Sequence, residues 1–409
     1  MFNPIKFWIK DRFLGAENRV IRLALDHFLR RQTGERVAQI DQSRIHAAIR
    51  EPLQLELSRV LGFSSEFESE LYVRRFETDF ARLCDRRYGV GTHSGTAALQ
   101  LVLTAMGIGS GDEVITVPNT YIATALAISN VGAKPVFVDV EPGTFNLDPR
   151  RIEPAITSRT KAIIPVHLYG QMANMPEIGR IAAAHGLKVI EDACQAFGAR
   201  LHGRPAGSLG DAGCFSFSTP KNLSGFGNGG MVVSNDKAIV ERIRFFRNPE
   251  AKGGDLTLSR RTPCYLDVVQ IAFLRAKLPF LPAWITRRQA NAAHFRRELG
   301  SMDLDLPDEA PGAFHTYYRF AIRTKQRAQL AQGLQKSGIR TLSAYSPCLH
   351  LSETYSGLGY AAGAFPEAER AERESVILPV SHFLTEEELE RIIKTVSRFG
   401  ARKSVQPLA

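Results

Sequence analysis

One lysine in this chain stands where an amine could be both held and released. Lys221 follows a strand-like Cys-Phe-Ser-Phe-Ser segment and precedes a glycine-rich loop within DAGCFSFSTPKNLSGFGNGG at 211–230. Strand residues fix its depth, Ser216 can face a phosphate, and the glycines let backbone approach closely, which suits a Schiff-base lysine. The plain alternative is a solvated lysine after a proline turn, and the company Lys221 keeps decides against it. KVIEDACQAFGA at 188–199 starts as an apolar strand and delivers Asp192 and Gln195 at its end, where ligands of open parallel sheets bind. An acid there can pair with a pyridinium nitrogen. GVGTHSGTAALQLVL at 89–103 runs from a Gly/Ser/Thr turn into a helical pattern, so its backbone N–H groups and Thr96 can cradle a phosphate at a helix N-terminus. TVPNTYIATALAI at 116–128 places Tyr121 just after a strand end, in reach of an aromatic ring. Each piece alone is weak; in the order phosphate turn, aromatic, acid, lysine, they describe a pyridoxal phosphate site.

The elements that must position these residues are legible as an alternation. Short apolar runs, DEVITVP, KPVFVDV, KAIIPVHL and LKVIED, are separated by helical patterns such as TAALQLVLTAM and MPEIGRIAAAHG. That predicts an α/β fold with a mostly parallel sheet covered by helices on both faces. After about residue 285 the pattern becomes a long polar helix, TRRQANAAHFRREL, a strand YYRFAIRT, a helix RAQLAQGLQKSGI, and a closing helix from TEEELERIIKTV. The expected division is a basic amphipathic extension at 1–50, a large α/β domain at 51–285 and a smaller α+β domain at 286–409, with the site in the cleft between the two domains. The 409 residues, 44% hydrophobic and 23% charged, suffice for two sizeable cores. Five cysteines without paired metal spacing read as free thiols in a reducing, cytoplasmic compartment. Cys194 and Cys214, which flank the site in sequence, read as small packing residues.

These motifs resemble the fold-type I pyridoxal phosphate enzymes, specifically the DegT/StrS group of sugar aminotransferases. The resemblance runs from about Val73 to Val396 and is carried by RRFETDFA at 74–81, HSGTAAL at 93–99, PNTYIATALAI at 118–128, VFVDVEPGTFNLDP at 136–149, PVHLYGQMANM at 165–175, EDACQAFGA at 191–199, FSFSTPKNLSGFGNGG at 215–230 and AFPEAERAERESVILPV at 364–380. It implies pyridoxal 5′-phosphate bound through Lys221, its pyridine nitrogen held by Asp192 and its ring hydroxyl approached by Gln195. It further implies Gly95, Thr96 and Ser216 at the phosphate and Tyr121 against the ring. The implied activity is amination of a small-molecule keto substrate, a nucleotide-linked sugar, with an amino-acid donor such as glutamate, in a homodimer. The remaining readings are a pyridoxal phosphate enzyme acting on a cyclitol or other non-sugar ketone, and a non-catalytic regulatory protein on the same scaffold. Lys221 speaks against the last, and against the dehydratase branch, in which histidine typically replaces the lysine.

The chain also departs from that pattern. The group usually carries an Asn and an Arg, two residues apart, in a segment whose Asn reaches the partner's cofactor phosphate. Here TPCYLDVVQIA at 262–272 puts Pro263 and Tyr265 at those places, and proline has no amide side chain. Where the group often reads His-Tyr-Pro, this chain has Ala344-Tyr345-Ser346-Pro347, which implies a changed substrate pocket. The first fifty residues carry ten Lys or Arg against five Asp or Glu, half of the whole chain's net +10. Phe2, Ile5, Phe7, Trp8, Ile9 and Phe13 interleave with Lys6, Lys10 and Arg12. This arm is expected to pack on the protein or its partner copy, with peripheral contact to anionic lipid as the competing reading. Elsewhere the charge is dispersed and no recognition-helix or zinc motif is present, so no nucleic-acid partner is expected.

Overall fold

Alternating burial along each strand organises the molecule. The computed structural model describes residues 36–248, 263–343 and 345–399. Three helices, α1 (Gln42–Ala48), α2 (Arg50–Leu61) and α3 (Glu66–Leu83), lead into β1 (Tyr88–Thr92). There follow α4 (Gly95–Ala105), β2 (Glu113–Thr116), α5 (Ala123–Asn130), β3 (Lys134–Phe137), β4 (Thr160–Ile163), α6 (Met175–His185) and β5 (Lys188–Asp192). Two short strands, β6 (Arg200–Leu201) and β7 (Arg204–Pro205), precede β8 (Ala212–Ser216), β9 (Gly230–Ser234) and α7 (Lys237–Phe246). The main sheet runs β1-β9-β8-β5-β4-β2-β3. β9 is antiparallel to both of its neighbours, and the pairs from β8 across to β3 are parallel. The expected mixed, mostly parallel sheet is present.

Successive strand residues point to opposite faces, and each face has its own core. Val114, Ala162, Ile190, Cys214 and Val232 pack on one side, whereas Ile115, Ile163, Val189, Phe215 and Val233 pack on the other. Such doubly buried strands need apolar residues at every position, which explains the continuous apolar runs in the sequence. Phe80 of α3, fully buried, shows how this fixes the site. Its ring stacks on Phe197 at 4.7 Å and meets Phe215 and Phe217 edge-on at 5.1 and 5.2 Å. Phe215 and Phe217 therefore face the core, and Ser216 between them faces away.

The remaining helices are α8 (Val268–Lys277), α9 (Leu281–Leu299), α10 (Arg327–Lys336), α11 (Pro366–Glu374) and α12 (Glu386–Phe399). β10 (Ala313–Phe314) pairs with β6, and β11 (Phe320–Arg323), β13 (Ser375–Leu378) and β12 (Leu342–Ser343) form an antiparallel sheet in that order. A separate core joins Phe295 and Leu299 of α9 to Phe320, Ile322, Leu334, Leu378 and Ile392, and Val37 belongs to it. The run Val268–Leu299 is long and apolar enough to cross a membrane by length and composition. Its Ile271, Leu274, Leu281, Ile285, Phe295 and Leu299 are instead buried in protein.

The described part of the N-terminal extension is docked. Val37 bridges to Ile339, its N–H donating to Gly338 O and its carbonyl accepting from Arg340 N, each at 2.9 Å. Arg44 makes two 3.0 Å bonds to Glu388 of α12. The aromatic-basic stretch from Phe2 to Arg12, on which the packing and lipid readings turn, lies outside the described residues.

Replacing Phe80 by Ala is expected to destabilise the protein by about 3–5 kcal/mol, through lost apolar burial and the cavity left behind. Denaturant unfolding checks this; a loss below about 1 kcal/mol would mean that Phe80 is not a keystone between α3 and β8.

Candidate active site

Asp192 ends β5 with 4% of its surface exposed. Its Oδ2 accepts a 2.8 Å bond from the Thr124 hydroxyl and its Oδ1 a 3.2 Å bond from the Cys194 N–H. Thr124 lies in the first turn of α5 and contacts the Thr120 hydroxyl at 3.2 Å, and its own N–H donates to Tyr121 O at 3.1 Å. One helical turn thus ties Tyr121, itself 60% exposed at the mouth, to the buried carboxylate. Strand alternation sends the preceding residue the other way. Glu191, fully buried, accepts from His167 and from the N–H groups of Gly207, Leu209 and Gly210, a structural knot away from the site.

Gly95 opens α4, whose N-cap Ser94 accepts from Ala97 N at 3.1 Å. A Cβ at Gly95 would lie 2.6 Å from Cys194 Sγ and 2.9 Å from Ser216 Cβ. Three segments far apart in sequence converge on this glycine, and no larger residue fits there. The first N–H groups of α4 have no partners in the helix and point outward at its positive end, beside Ser216. Ser216 itself donates to Ser218 Oγ at 3.3 Å.

Lys221 lies in the turn after β8, with its N–H on Ser218 O at 2.9 Å. Its Nζ stands 4.9 Å from the centroid of the Tyr318 ring. Asp192 and Lys221 both act on the Cys194 thiol. Burial first, then the Asp192 charge, push that thiol well above the usual cysteine range, and Lys221 pulls the other way. Cys194 is therefore packing, as its type suggested, and not a nucleophile. Gln195 is buried; its Oε1 accepts from Tyr169 N at 3.2 Å and its Nε2 donates to the Tyr345 hydroxyl at 2.8 Å. Burial, with Tyr318 and Tyr169 nearby, raises the Tyr345 pKa well above the ordinary value. Burial also opposes ionisation of Tyr318, yet Lys221 and Arg319 outweigh it and hold this hydroxyl below the ordinary tyrosine range.

The structure thus gathers Gly95, Asp192, Ser216 and Lys221 with Gln195 behind them, while Tyr121 stands at the rim, 6.4 Å from the Tyr345 ring. Thr124, Tyr318 and Tyr345 are additions. Thr124 had a faint signal, lying one turn after Tyr121; the tyrosines arrive from far downstream of the residues they meet. Tyr265 is half exposed with the Arg247 guanidinium over its ring at 5.6 Å. It borders a recess of about 380 Å³ lined also by His93, Ser94, Asn228, Asp267 and Gln270. The recess opens beside the phosphate turn. Ala344 lies outside the described residues.

Residues 49–397 match the DegT/DnrJ/EryC1/StrS aminotransferase family. The chain belongs to this family. Among relatives of this aminotransferase, a pleiotropic regulatory protein of Geobacillus stearothermophilus is 42% identical over 85% of this chain and 95% of its own length. The dTDP-3-amino-3,4,6-trideoxy-alpha-D-glucose transaminase of Streptomyces venezuelae is 38% identical over 90% of this chain and 97% of its own. NtdA of Bacillus subtilis, solved with bound cofactor PMP, superposes with a TM-score of 0.80 at 27% identity, covering 89% of this chain and 85% of that one. The protein is an aminotransferase, and its cofactor is pyridoxal 5′-phosphate. The site fits that group: a glycine cradle at a helix start for phosphate, a buried carboxylate for a ring cation, and an amine for the aldehyde.

Asp192→Ala is expected to slow the amino-donor half-reaction by roughly a hundredfold or more while cofactor retention changes far less. Cofactor absorbance after adding donor checks both. Near-normal conversion would show that another group holds the ring nitrogen.

Proposed function

We propose that this aminotransferase aminates a nucleotide-linked keto-sugar, with an amino acid such as glutamate as donor. The observation that carries the reading is that Cys194, whose thiol feels both the Asp192 and the Lys221 charge, meets Ser216 at Gly95, the start of α4. The Streptomyces venezuelae relative, named as a transaminase of a nucleotide-linked amino-sugar, supports the substrate class. A relative with a regulatory name does not alter the reading, because the lysine and carboxylate that aminotransfer requires stand together here.

In this reading the backbone N–H groups of Gly95 and Thr96, with the Ser216 hydroxyl, hold the cofactor phosphate, and Tyr121 covers the ring. Asp192 faces the pyridine nitrogen and keeps a proton on it, its carboxylate oriented by Thr124 and the Cys194 N–H. Gln195 presents its side-chain amide toward the ring hydroxyl. When bound, pyridoxal phosphate supplies an electron-accepting ring that stabilises negative charge on the substrate carbon bearing the nitrogen. Lys221 would hold the cofactor through Nζ, and its free amine would serve as the base that moves a proton at the substrate carbon. Tyr318, with its ring against Nζ, walls that side from water.

The same reading takes the protein as a cytoplasmic homodimer. Exposed Tyr121, Phe226 and Tyr265 at the mouth of the site are the apolar surface a second copy would cover. It also keeps the division into an extension at 1–50 and domains at 51–285 and 286–409, with α9 carrying the chain from one domain to the next.

The test uses the PMP form of the enzyme with a panel of keto-sugar nucleotides and cyclitol ketones. Visible absorbance of the lysine-bound cofactor should return with a dTDP- or UDP-linked keto-sugar. Return with cyclitol ketones alone would contradict the substrate class.

A further inference from the structure

The turn that carries Lys221 has an anchor of its own. Phe217 N donates to Gly229 O at 2.7 Å, Gly225 N to Phe217 O at 2.8 Å and Thr219 N to Gly227 O at 3.0 Å. These bonds close residues 217–229 into a looped hairpin with Lys221 inside it. A shift of one side of such a loop is passed to the other. What holds it against the body of the protein is therefore what sets the lysine.

That hold comes from one face of α8. Gln270, Phe273 and Lys277 recur at i, i+3 and i+7, the spacing that aligns side chains along a helix. Gln270 grips Phe226 at both backbone groups, Oε1 accepting from its N–H at 2.7 Å and Nε2 donating to its carbonyl at 3.2 Å. The Phe226 ring stacks on Phe273 at 5.1 Å. Lys277 is 1% exposed, and its Nζ donates to Ser224 O at 2.9 Å, Ser224 Oγ at 3.2 Å and Gly225 O at 3.5 Å. A Cβ at Gly225 would meet the Gln270 side-chain amide, so the glycine leaves that amide room to reach the Phe226 backbone.

A buried ammonium whose partners are neutral oxygens is an expensive way to fill space. Burial pushes the Lys277 pKa down to about 8. A methionine would fill the same volume without the desolvation, but it could not hold two successive carbonyl groups. Charge-assisted bonds to carbonyls are stronger than neutral ones, and these end three and four residues after Lys221. Gln42 of α1 also donates to Thr219 O at 2.8 Å, two residues before it.

We propose that Lys277 is a positioning residue for Lys221: by gripping the Ser224 and Gly225 carbonyls it fixes the closed turn from which Lys221 reaches the cofactor. The catalytic consequence rests on Lys221 as the cofactor lysine; the grip itself does not.

Lys277→Met and Lys277→Arg separate these two claims. Hydrogen exchange on the cofactor-free protein should show the amides of 217–229 in Lys277→Met opening at least about tenfold faster, with β5 and β9 unchanged. In the reconstituted protein the visible absorbance of the lysine-bound cofactor should fall at subsaturating pyridoxal phosphate. The arginine variant, which keeps a cation, should recover part of both effects. Gln270→Ala, which removes the neighbouring grip, should shift the same amides in the same direction. Wild-type exchange across 217–229 in Lys277→Met, with unchanged absorbance, would overturn the proposal. Faster exchange in a protein whose wild type never binds cofactor through Lys221 would uphold the grip and sink the assignment of Lys221 instead.

Discussion

Burial of the Asp192 carboxylate is the constraint on which the site depends. Asp192 has 4% of its surface exposed, and its carboxylate accepts hydrogen bonds from the Thr124 hydroxyl and the Cys194 N–H. In the proposed function that carboxylate pairs with a cation. A protonated pyridine nitrogen is such a cation, and Lys221, whose charge also acts on Cys194 and Tyr318, is the neighbouring one that the chain provides. The sheet makes this possible. β5 pairs in parallel with β4 and β8, so its end opens where the loops after neighbouring strands also end. Its pleat sends Glu191 into a knot of backbone donors while Asp192 points the other way, to Thr124 and the Cys194 N–H.

Tying the lysine to that carboxylate takes three kinds of contact. Phe80, Phe197, Phe215 and Phe217 form an aromatic cluster that fixes the end of β8. α8 and Gln42 of α1 hold the glycine-rich turn, and the segment before α1 holds the tyrosine wall. In that segment Gln39 Oε1 accepts from Arg319 Nη1 at 3.0 Å, and Arg319 Nη2 donates to the Tyr318 hydroxyl at 3.3 Å. Gln39 also donates to the Arg340 and Ile377 carbonyls, each at 2.9 Å. The N-terminal strap therefore links the small antiparallel sheet to the residue beside Lys221.

Much of this was legible beforehand because it is periodic or local. The apolar strand runs, the glycine-led helix start at Gly95 and the strand-lysine-glycine order around Lys221 follow from backbone requirements that a short window displays. Cys194 and Cys214 were read correctly from residue type, and the chain's change of pattern near 285 falls within α9. Thr124 carried only the faint signal of its place one turn after Tyr121, because a threonine in the first turn of a helix is ordinary until its partner is known. Tyr318 was invisible as a site residue, and Tyr345 showed only within the altered Ala344-Tyr345-Ser346-Pro347 segment, because they reach Lys221 and Gln195 through tertiary packing of the small sheet. The spacing of Gln270, Phe273 and Lys277 could be read as a helix face, but nothing local says that this face holds the lysine turn.

The proposed function requires that Lys221 carry the cofactor while Asp192 holds its ring. Borohydride reduction of the reconstituted protein, followed by peptide mass mapping, tests that directly. The visible absorbance should vanish, with the mass of reduced cofactor appearing on the peptide that contains Lys221 and on no other. Cofactor mass on a different lysine, or none after reconstitution, would contradict the account.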